Sequence, residues 1–116
     1  MIKLKRIYEK PDRTDGKRIL IDRLWPRGVS KEAAHIDEWL REIAPSVELC
    51  KWYGHKLERW EDFRKRYRAE LSRAPWKGLV DGLRKEGKRA TVTLLFASRE
   101  SEHSNAVVLK DFLEKY

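Results

Sequence analysis

The residues with the most chemical capacity lie in two short polar segments. Asp22-Arg23-Leu24-Trp25-Pro26-Arg27-Gly28 follows directly on the apolar run Ile19-Leu20-Ile21 and brings together two guanidiniums, an indole and a carboxylate. Arg23 and Arg27 stay protonated at any working pH, so their chemistry is to clamp a phosphate or carboxylate rather than to move protons. Trp25 offers a flat surface to a planar ligand, or else an apolar staple for its own loop. The second segment runs from Ser98 to Asn105 and ends where a closing helix is predicted to begin. His103 sits just before that helix, where the positive end of the helix dipole favours the neutral imidazole and leaves a lone pair for a proton or a substrate. Asp22 is the carboxylate best placed to assist it, and Asp37 is a second candidate carboxylate.

These residue types give a candidate catalytic pair, His103 and Asp22, and a ligand-binding set of Arg23, Trp25, Arg27, Ser98, Asn105 and His55. Each has a structural alternative. The arginines could pair with Asp22 or Asp37 or cap a helix carboxyl end, His103 could be a solvated loop residue, and His55 could close a helix by a local bond. The three histidines have no matching carboxylate spacing, and a lone cysteine builds no thiolate site, so neither a metal nor a cofactor is expected. No phosphate loop or nucleophile and base pair names a reaction. Cys50, although followed by Lys51, reads as a small core residue.

Composition narrows the class of protein that must hold these residues. A chain of 116 residues suits one domain over residues 1–116, and 41% hydrophobic content with five Trp, four Tyr and three Phe supplies a core. The 40% of charged residues must then lie mostly outside. No apolar run approaches the ~20 residues of a membrane span, and Met1–Arg6 lacks the apolar stretch of a signal peptide. The expectation is a cytoplasmic protein without membrane contact, and the single thiol agrees with a reducing compartment. The absence of Gln, a single Asn and abundant Arg and Glu resemble thermophile composition. A net charge of +8 attracts polyanions in general and leaves nucleic acid as a second class of partner.

Three strands and five helices are expected to position the polar segments. The alternation of Ile2 and Leu4 with Lys3 and Lys5 predicts an edge strand near residues 2–8, and Ile19–Ile21 a more buried strand near 18–22. The nearly continuous apolar run within 89–97 predicts a central strand covered on both faces. Between the first two, Glu9 to Gly16 is turn chemistry, too short for an ordinary parallel crossover, so these two strands could instead form a hairpin. Ile36, Trp39, Leu40 and Ile43 predict a helix after Ser30, and Ser46 to Gly54 a short second one. Trp60, Phe63, Tyr67 and Leu71 predict a long helix over 58–74, with Glu61–Lys65 or Arg66–Glu70 pairs on its outside. Leu79, Val80 and Leu83 predict a fourth helix closed by Gly87, and Ser104 caps a fifth carrying Val108, Phe112 and Leu113. The fold class is therefore α/β, a small mainly parallel sheet covered by about five helices. If the second and third strands are parallel, the Arg23–Gly28 loop meets the Ser98–Asn105 loop at one carboxyl edge, where open sheets bind ligands.

Several stretches together resemble the YeaO-like family of small uncharacterised prokaryotic proteins, within a broader domain family of unknown function. They are Leu20-Ile21-Asp22-Arg23-Leu24-Trp25-Pro26-Arg27-Gly28, Ile36–Leu40 with Ala44-Pro45-Ser46, Trp52-Tyr53-Gly54-His55 with Trp60 and Phe63, and Thr93–Ala97 with Glu102–Ala106. The likeness spans nearly the whole chain and departs at Ser104, where a second Asn is expected beside Asn105. It implies an α/β fold with Asp22, Arg23 and Arg27 at strand ends, and it brings no activity. The reading of the residues is thus a polar, Arg- and Trp-lined pocket for an anionic, nucleotide-like small molecule, with catalysis left open. A nucleic-acid-binding or regulatory protein and a protein-interaction module are the alternatives.

Overall fold

In the computed structural model, which describes residues 1–116, the apolar runs become β1 (Ile2–Arg6), β2 (Lys17–Leu20), β3 (Glu38–Trp39) and β4 (Val92–Phe96). All pair in parallel in the order β1-β4-β2-β3. Five α-helices accompany them: α1 (Lys31–Ala34), α2 (Val47–Tyr53), α3 (Trp60–Leu71), α4 (Trp76–Arg89) and α5 (Asn105–Lys115). The expected α/β architecture is the one found. β4, the most continuous apolar run, is central and buried at every position, and the lysine-bearing β1 lies at an edge.

Register divides the side chains between two cores. Ile2 and Leu4 of β1 stand level with Val92 and Leu94 of β4, and Ile19 of β2 with Leu94. These belong to the larger cluster, which includes Tyr67 and Leu71 of α3, Val80 and Leu83 of α4, and Leu109 of α5. On the opposite face Leu20 and Leu95 join Ile7 and Ala34 in a smaller cluster, against which Trp25, Ile36 and Trp39 pack. The sheet therefore has one face covered by long helices and one covered largely by loop.

Four expectations are corrected. Ile36, Trp39, Leu40 and Ile43 do not form one helix. Ile36 and Trp39 pack on the smaller cluster, whereas Leu40 and Ile43 belong with the larger. One helix cannot bury a single stripe on opposite sides of a sheet, so the chain passes the edge instead. His35 ends α1 in the left-handed conformation at φ 47°, Glu38–Trp39 pairs with Ile19 and Leu20, and Arg41–Ile43 is a 3-10 turn. Secondly, β1 and β2 form no hairpin, because β4 lies between them. Thirdly, Gly87 does not stop α4; a Cβ there would press on Ile2 Cδ1, so the glycine lets helix and edge strand approach. Lastly, Glu61 pairs with Arg64 at 3.2 Å rather than with Lys65, and Glu70 is buried, accepting from Ser46 N at 2.9 Å instead of pairing with Arg66.

The connection from β1 to β2 crosses β4 without a helix, and a buried polar group holds it there. Asp15 and Arg18, only 2% and 5% exposed, pair at 2.6 Å. Lys5 of β1 reaches the same carboxylate at 3.0 Å, and Thr93 Oγ1 of β4 donates to the Asp15 carbonyl at 2.6 Å. Arg18 also donates to the carbonyls of Ala34 and His35, each at 2.9 Å, which satisfies the end of α1. Burial pushes the Asp15 carboxyl up, but the Asp12 N–H, Lys5 and Arg18 outweigh it and hold its pKa below the ordinary carboxylate value.

Gly16 follows at φ 63° and ψ −137°, a region that side chains avoid, and a Cβ there would collide with the Thr91 carbonyl. Gly16→Ala is expected to lose about 2–5 kcal/mol in urea denaturation, from backbone strain plus overpacking. Arg18→Ala leaves Asp15 with only Lys5 as counter-charge and strands two carbonyls, with an expected loss of about 3–5 kcal/mol. The exposed Arg13→Ala, measured alongside, should stay within about 0.5 kcal/mol of the parent.

Candidate functional site

Because β2 and β4 are parallel neighbours, the segments that leave them emerge at the same edge. Asp22 ties the two together. Its Oδ2 accepts from Ala97 N at 2.9 Å, its Oδ1 accepts from Asn105 Nδ2 at 3.4 Å, and its carbonyl accepts from Trp39 Nε1 at 2.7 Å. No cation lies within ion-pair distance of this carboxylate. Burial pushes the Asp22 pKa above its ordinary value, and the bonds from Ala97 and Asn105 offset only part of that.

Arg23 turns away from Asp22 and Asp37. Its Nη2 donates to Pro45 O at 2.9 Å and to Ala44 O at 3.4 Å, which binds the loop after β2 to the turn before α2. Its Nε is buried without a hydrogen-bond partner. Arg27 is exposed, and its carbonyl accepts from Tyr8 Oη at 3.1 Å. Neither arginine has a carboxylate partner. Trp25 donates Nε1 to Val29 O at 2.7 Å and stands edge-on to Trp39 at 5.3 Å, which makes it a staple of the smaller core as well as a wall of the site.

The opposing loop is braced from both ends. Arg6 donates to the carbonyls of Ala97 and Ser98 at 3.1 and 2.9 Å, and Ser98 Oγ donates to Glu100 O at 3.4 Å. His103 stands edge-on to Trp60 at 5.1 Å, and its carbonyl accepts from Tyr53 Oη. Its Nδ1 lies 3.1 Å from Glu100 Oε1, close but bent outside hydrogen-bond alignment. Ser104 occupies the position before α5, yet its hydroxyl donates to Ser101 O at 3.3 Å. The expected side-chain cap is thus not formed, although capping by Ser30 and Ser46 on α1 and α2 is. His55 is exposed at φ 57°, just beyond Gly54 at the end of α2, with its ring 5.8 Å from Tyr53.

Asp22, Arg23, Trp25, Arg27, His55, Ser98, His103 and Asn105 all line one cavity of about 430 Å³. The sequence reading missed the wall that α2 and α3 supply, namely Cys50, Tyr53 and Phe63, together with Tyr8 and with Pro45 in the turn before α2. Cys50 is surface-exposed rather than a core residue, with Sγ 3.7 Å from Pro45 O. Its sulfur is partly desolvated against Pro45, which raises the thiol pKa, and the charge of Arg23 offsets only part of that. Tyr53 and Tyr8 carried a signal, since each is a phenol at the end of a predicted element and each hydroxyl ties down one of the two loops. Asp37 lies outside this cavity and accepts from Arg18 N at 2.8 Å. Glu100, Glu102 and His103 bring ligand atoms within 4.8 Å of one another, but both glutamates are exposed and Glu100 already faces His103. The cavity itself combines unpaired cations, a desolvated carboxyl and apolar walls.

A family model described as "Inactive DUF488-N3 subclade" matches residues 1–116, and the chain belongs to that family. It is similar to the uncharacterised protein YeaO of Escherichia coli K12, 39% identical over 112 residues that span 97% of this chain and 96% of YeaO. The uncharacterised protein Rv3073c of Mycobacterium tuberculosis H37Rv is 38% identical over 112 residues, 97% of this chain and 92% of its own. No solved structure matches the chain.

The Asp22 environment has a measurable sign. A carboxyl whose folded-state pKa is raised contributes stability that is present below its unfolded value and lost as pH rises through the folded one. Asp22→Asn keeps an acceptor for Ala97 N and removes that titration. Measured by urea denaturation across the acidic range, the variant is expected to gain stability relative to the parent as pH climbs from about 4. The difference should level off once Asp22 is fully ionised in the parent.

Proposed function

We propose that this cavity binds a small anionic ligand with a planar, hydrogen-bonding body, of which a nucleotide is the representative class. The observation that carries the reading is charge placement: Arg23 and Arg27, neither neutralised by a carboxylate, border the same cavity as Asp22. The hydrogen-bond partners of that carboxyl are N–H donors only. A phosphate or carboxylate on the ligand suits the guanidinium side, and an N–H group on its body suits the free lone pairs of Asp22. Phe63, Tyr53 and Trp25 supply apolar wall to a flat body. The start of α5 at Ser104 and Asn105 borders the same cavity on the Asp22 side, where Asn105 Nδ2 donates to the carboxylate.

Binding is favoured over turnover. No hydrogen bond joins Asp22 to His103, and the His103 imidazole packs edge-on to Trp60 with Nδ1 beside Glu100. The family description of an inactive subclade supports the same choice. In this reading Asp22 and His103 are polar contacts to the ligand.

A thermal-shift panel of nucleoside monophosphates, sugar phosphates and dicarboxylates tests the proposal. A true ligand at a hundredfold excess over its Kd stabilises by about 2.7 kcal/mol, enough to move the melting temperature by several degrees. Arg27→Ala should weaken that ligand by about 10- to 100-fold, the worth of a charge-assisted hydrogen bond, while leaving the melting temperature of the free protein unchanged. A panel without any shift at millimolar ligand, or a shift that survives Arg27→Ala together with Asp22→Asn, rejects the pocket as the site.

A further inference from the structure

A second basic surface lies on the other side of α2 and is built differently. Arg59, Arg66 and Arg73 recur every seven residues along α3 and its two ends, and so share one face at intervals of about 10 Å from the 1.5 Å helical rise. None of the three is in an ion pair. Each is held over an indole instead: Arg59 and Arg66 over Trp52 at 5.1 and 4.1 Å, and Arg73 over Trp76 at 5.7 Å. Stacking fixes a guanidinium in place while leaving most of its N–H edge unused, whereas a salt bridge would consume that edge. Arg59 also donates Nη1 to the Trp52 carbonyl, so the freer edges are those of Arg66 and Arg73.

Trp52, Arg66 and Arg73 line an open groove of about 470 Å³ between α2 and α3. Two acidic residues also border it. Glu70 is buried and accepts from Ser46 N, and Glu48 stands at the lip in the first turn of α2. The rim of the groove therefore has the exposed Glu48 on the α2 side and the exposed guanidiniums of Arg66 and Arg73 on the α3 side. The Arg66–Glu70 pair that helical spacing favours is given up, and Arg66 is left charged, ordered and facing solvent.

We propose that the Arg59–Arg66–Arg73 ladder and its indoles form a docking surface for the phosphate backbone of single-stranded nucleic acid. Cations carried beside aromatic rings track such a strand; here the guanidinium edges of Arg66 and Arg73 would take phosphates, and the outer faces of these guanidiniums, stacked on Trp52 and Trp76, would take bases. The site is separate from the cavity beside Asp22, which α2 borders with Cys50 and Tyr53 rather than with Trp52.

Fluorescence anisotropy of a labelled oligothymidylate of roughly 10 nucleotides, within the site size of such grooves, provides the test. Arg66→Gln with Arg73→Gln is compared with Lys85→Gln and Lys88→Gln, an exposed pair on α4 that removes the same charge elsewhere. The ladder variant should bind several-fold more weakly than the parent and should flatten the slope of log K against log salt by about 1.4, or 0.7 for each lost phosphate contact. The α4 variant should bind within about twofold of the parent, and a duplex competitor, whose bases are not free to stack, should displace the strand poorly. Equal loss in both variants, an unchanged slope in the ladder variant, or duplex binding as tight as single-strand binding each overturns the proposal. Circular dichroism confirms that both variants are folded, and all four positions are exposed at the surface.

Discussion

The buried pair of Asp15 and Arg18 is the constraint on which the topology rests. A parallel crossover ordinarily uses a helix, which satisfies its own backbone while crossing the sheet face. Here residues 7–16 cross β4 with only a 3-10 turn, so their polar groups need partners from the strands beneath. Asp15 collects them: Lys5 from β1, Thr93 from β4 and Arg18 from β2 all converge on it. Desolvating two charges is costly, and in this place the cost is offset by complete hydrogen bonding, with Arg18 also closing α1. The group specifies which strands are neighbours, which a purely apolar face would leave open to a shift in register.

That crossover determines what happens at the opposite end of the sheet. With β4 inserted between β1 and β2, the loops after β2 and β4 must leave side by side, and Asp22 sits between them. The contrast with Asp15 is physical. Asp15 has two cations and a lowered pKa, whereas Asp22 has none and a raised one. Stability alone would favour a salt bridge at Asp22, since Arg23 is the next residue. The chain directs Arg23 to the carbonyls of Ala44 and Pro45 instead, and so keeps carboxyl and guanidinium apart on the cavity wall. Uncompensated groups of this kind mark places where an arrangement is maintained for something other than folding.

Much of this was legible in the residues. Period-two alternation marks β1, the unbroken apolar run marks β4, and the shared carboxyl edge of β2 and β4 brings Asp22, Arg23, Arg27, His103 and Asn105 to one place. What was not legible came from side chains with two competing uses. Ile36, Trp39, Leu40 and Ile43 have helical spacing, but they serve opposite faces of the sheet, and spacing carries no information about which face. Arg18 reads as the charged start of a strand, and only the loop folded over it shows that it is buried. Glu70 reads as half of a surface ion pair, yet the backbone N–H of Ser46, distant in sequence, claims it. Each miss is a long-range partner overriding a valid local preference.

The basic net charge also takes on a different meaning. Four arginines fork onto two consecutive backbone carbonyls each: Arg6 onto Ala97 and Ser98, Arg18 onto Ala34 and His35, Arg23 onto Ala44 and Pro45, and Arg84 onto Phe112 and Leu113. A planar fork with several donors is the side chain able to satisfy two carbonyls at the end of a helix or strand, and Arg6 and Arg23 do so without any carboxylate partner. Bracing of this kind builds up positive charge as a consequence of closing turns in a small fold with short helices. Part of the +8 is therefore structural, and total charge alone says little about partners. Among the cations not spent on carbonyls or carboxylates, Arg27 borders the cavity, and Arg66 and Arg73 are held over indoles. Their positions, one at a sheet edge and two along a helix face, separate two binding surfaces that a single net charge would merge.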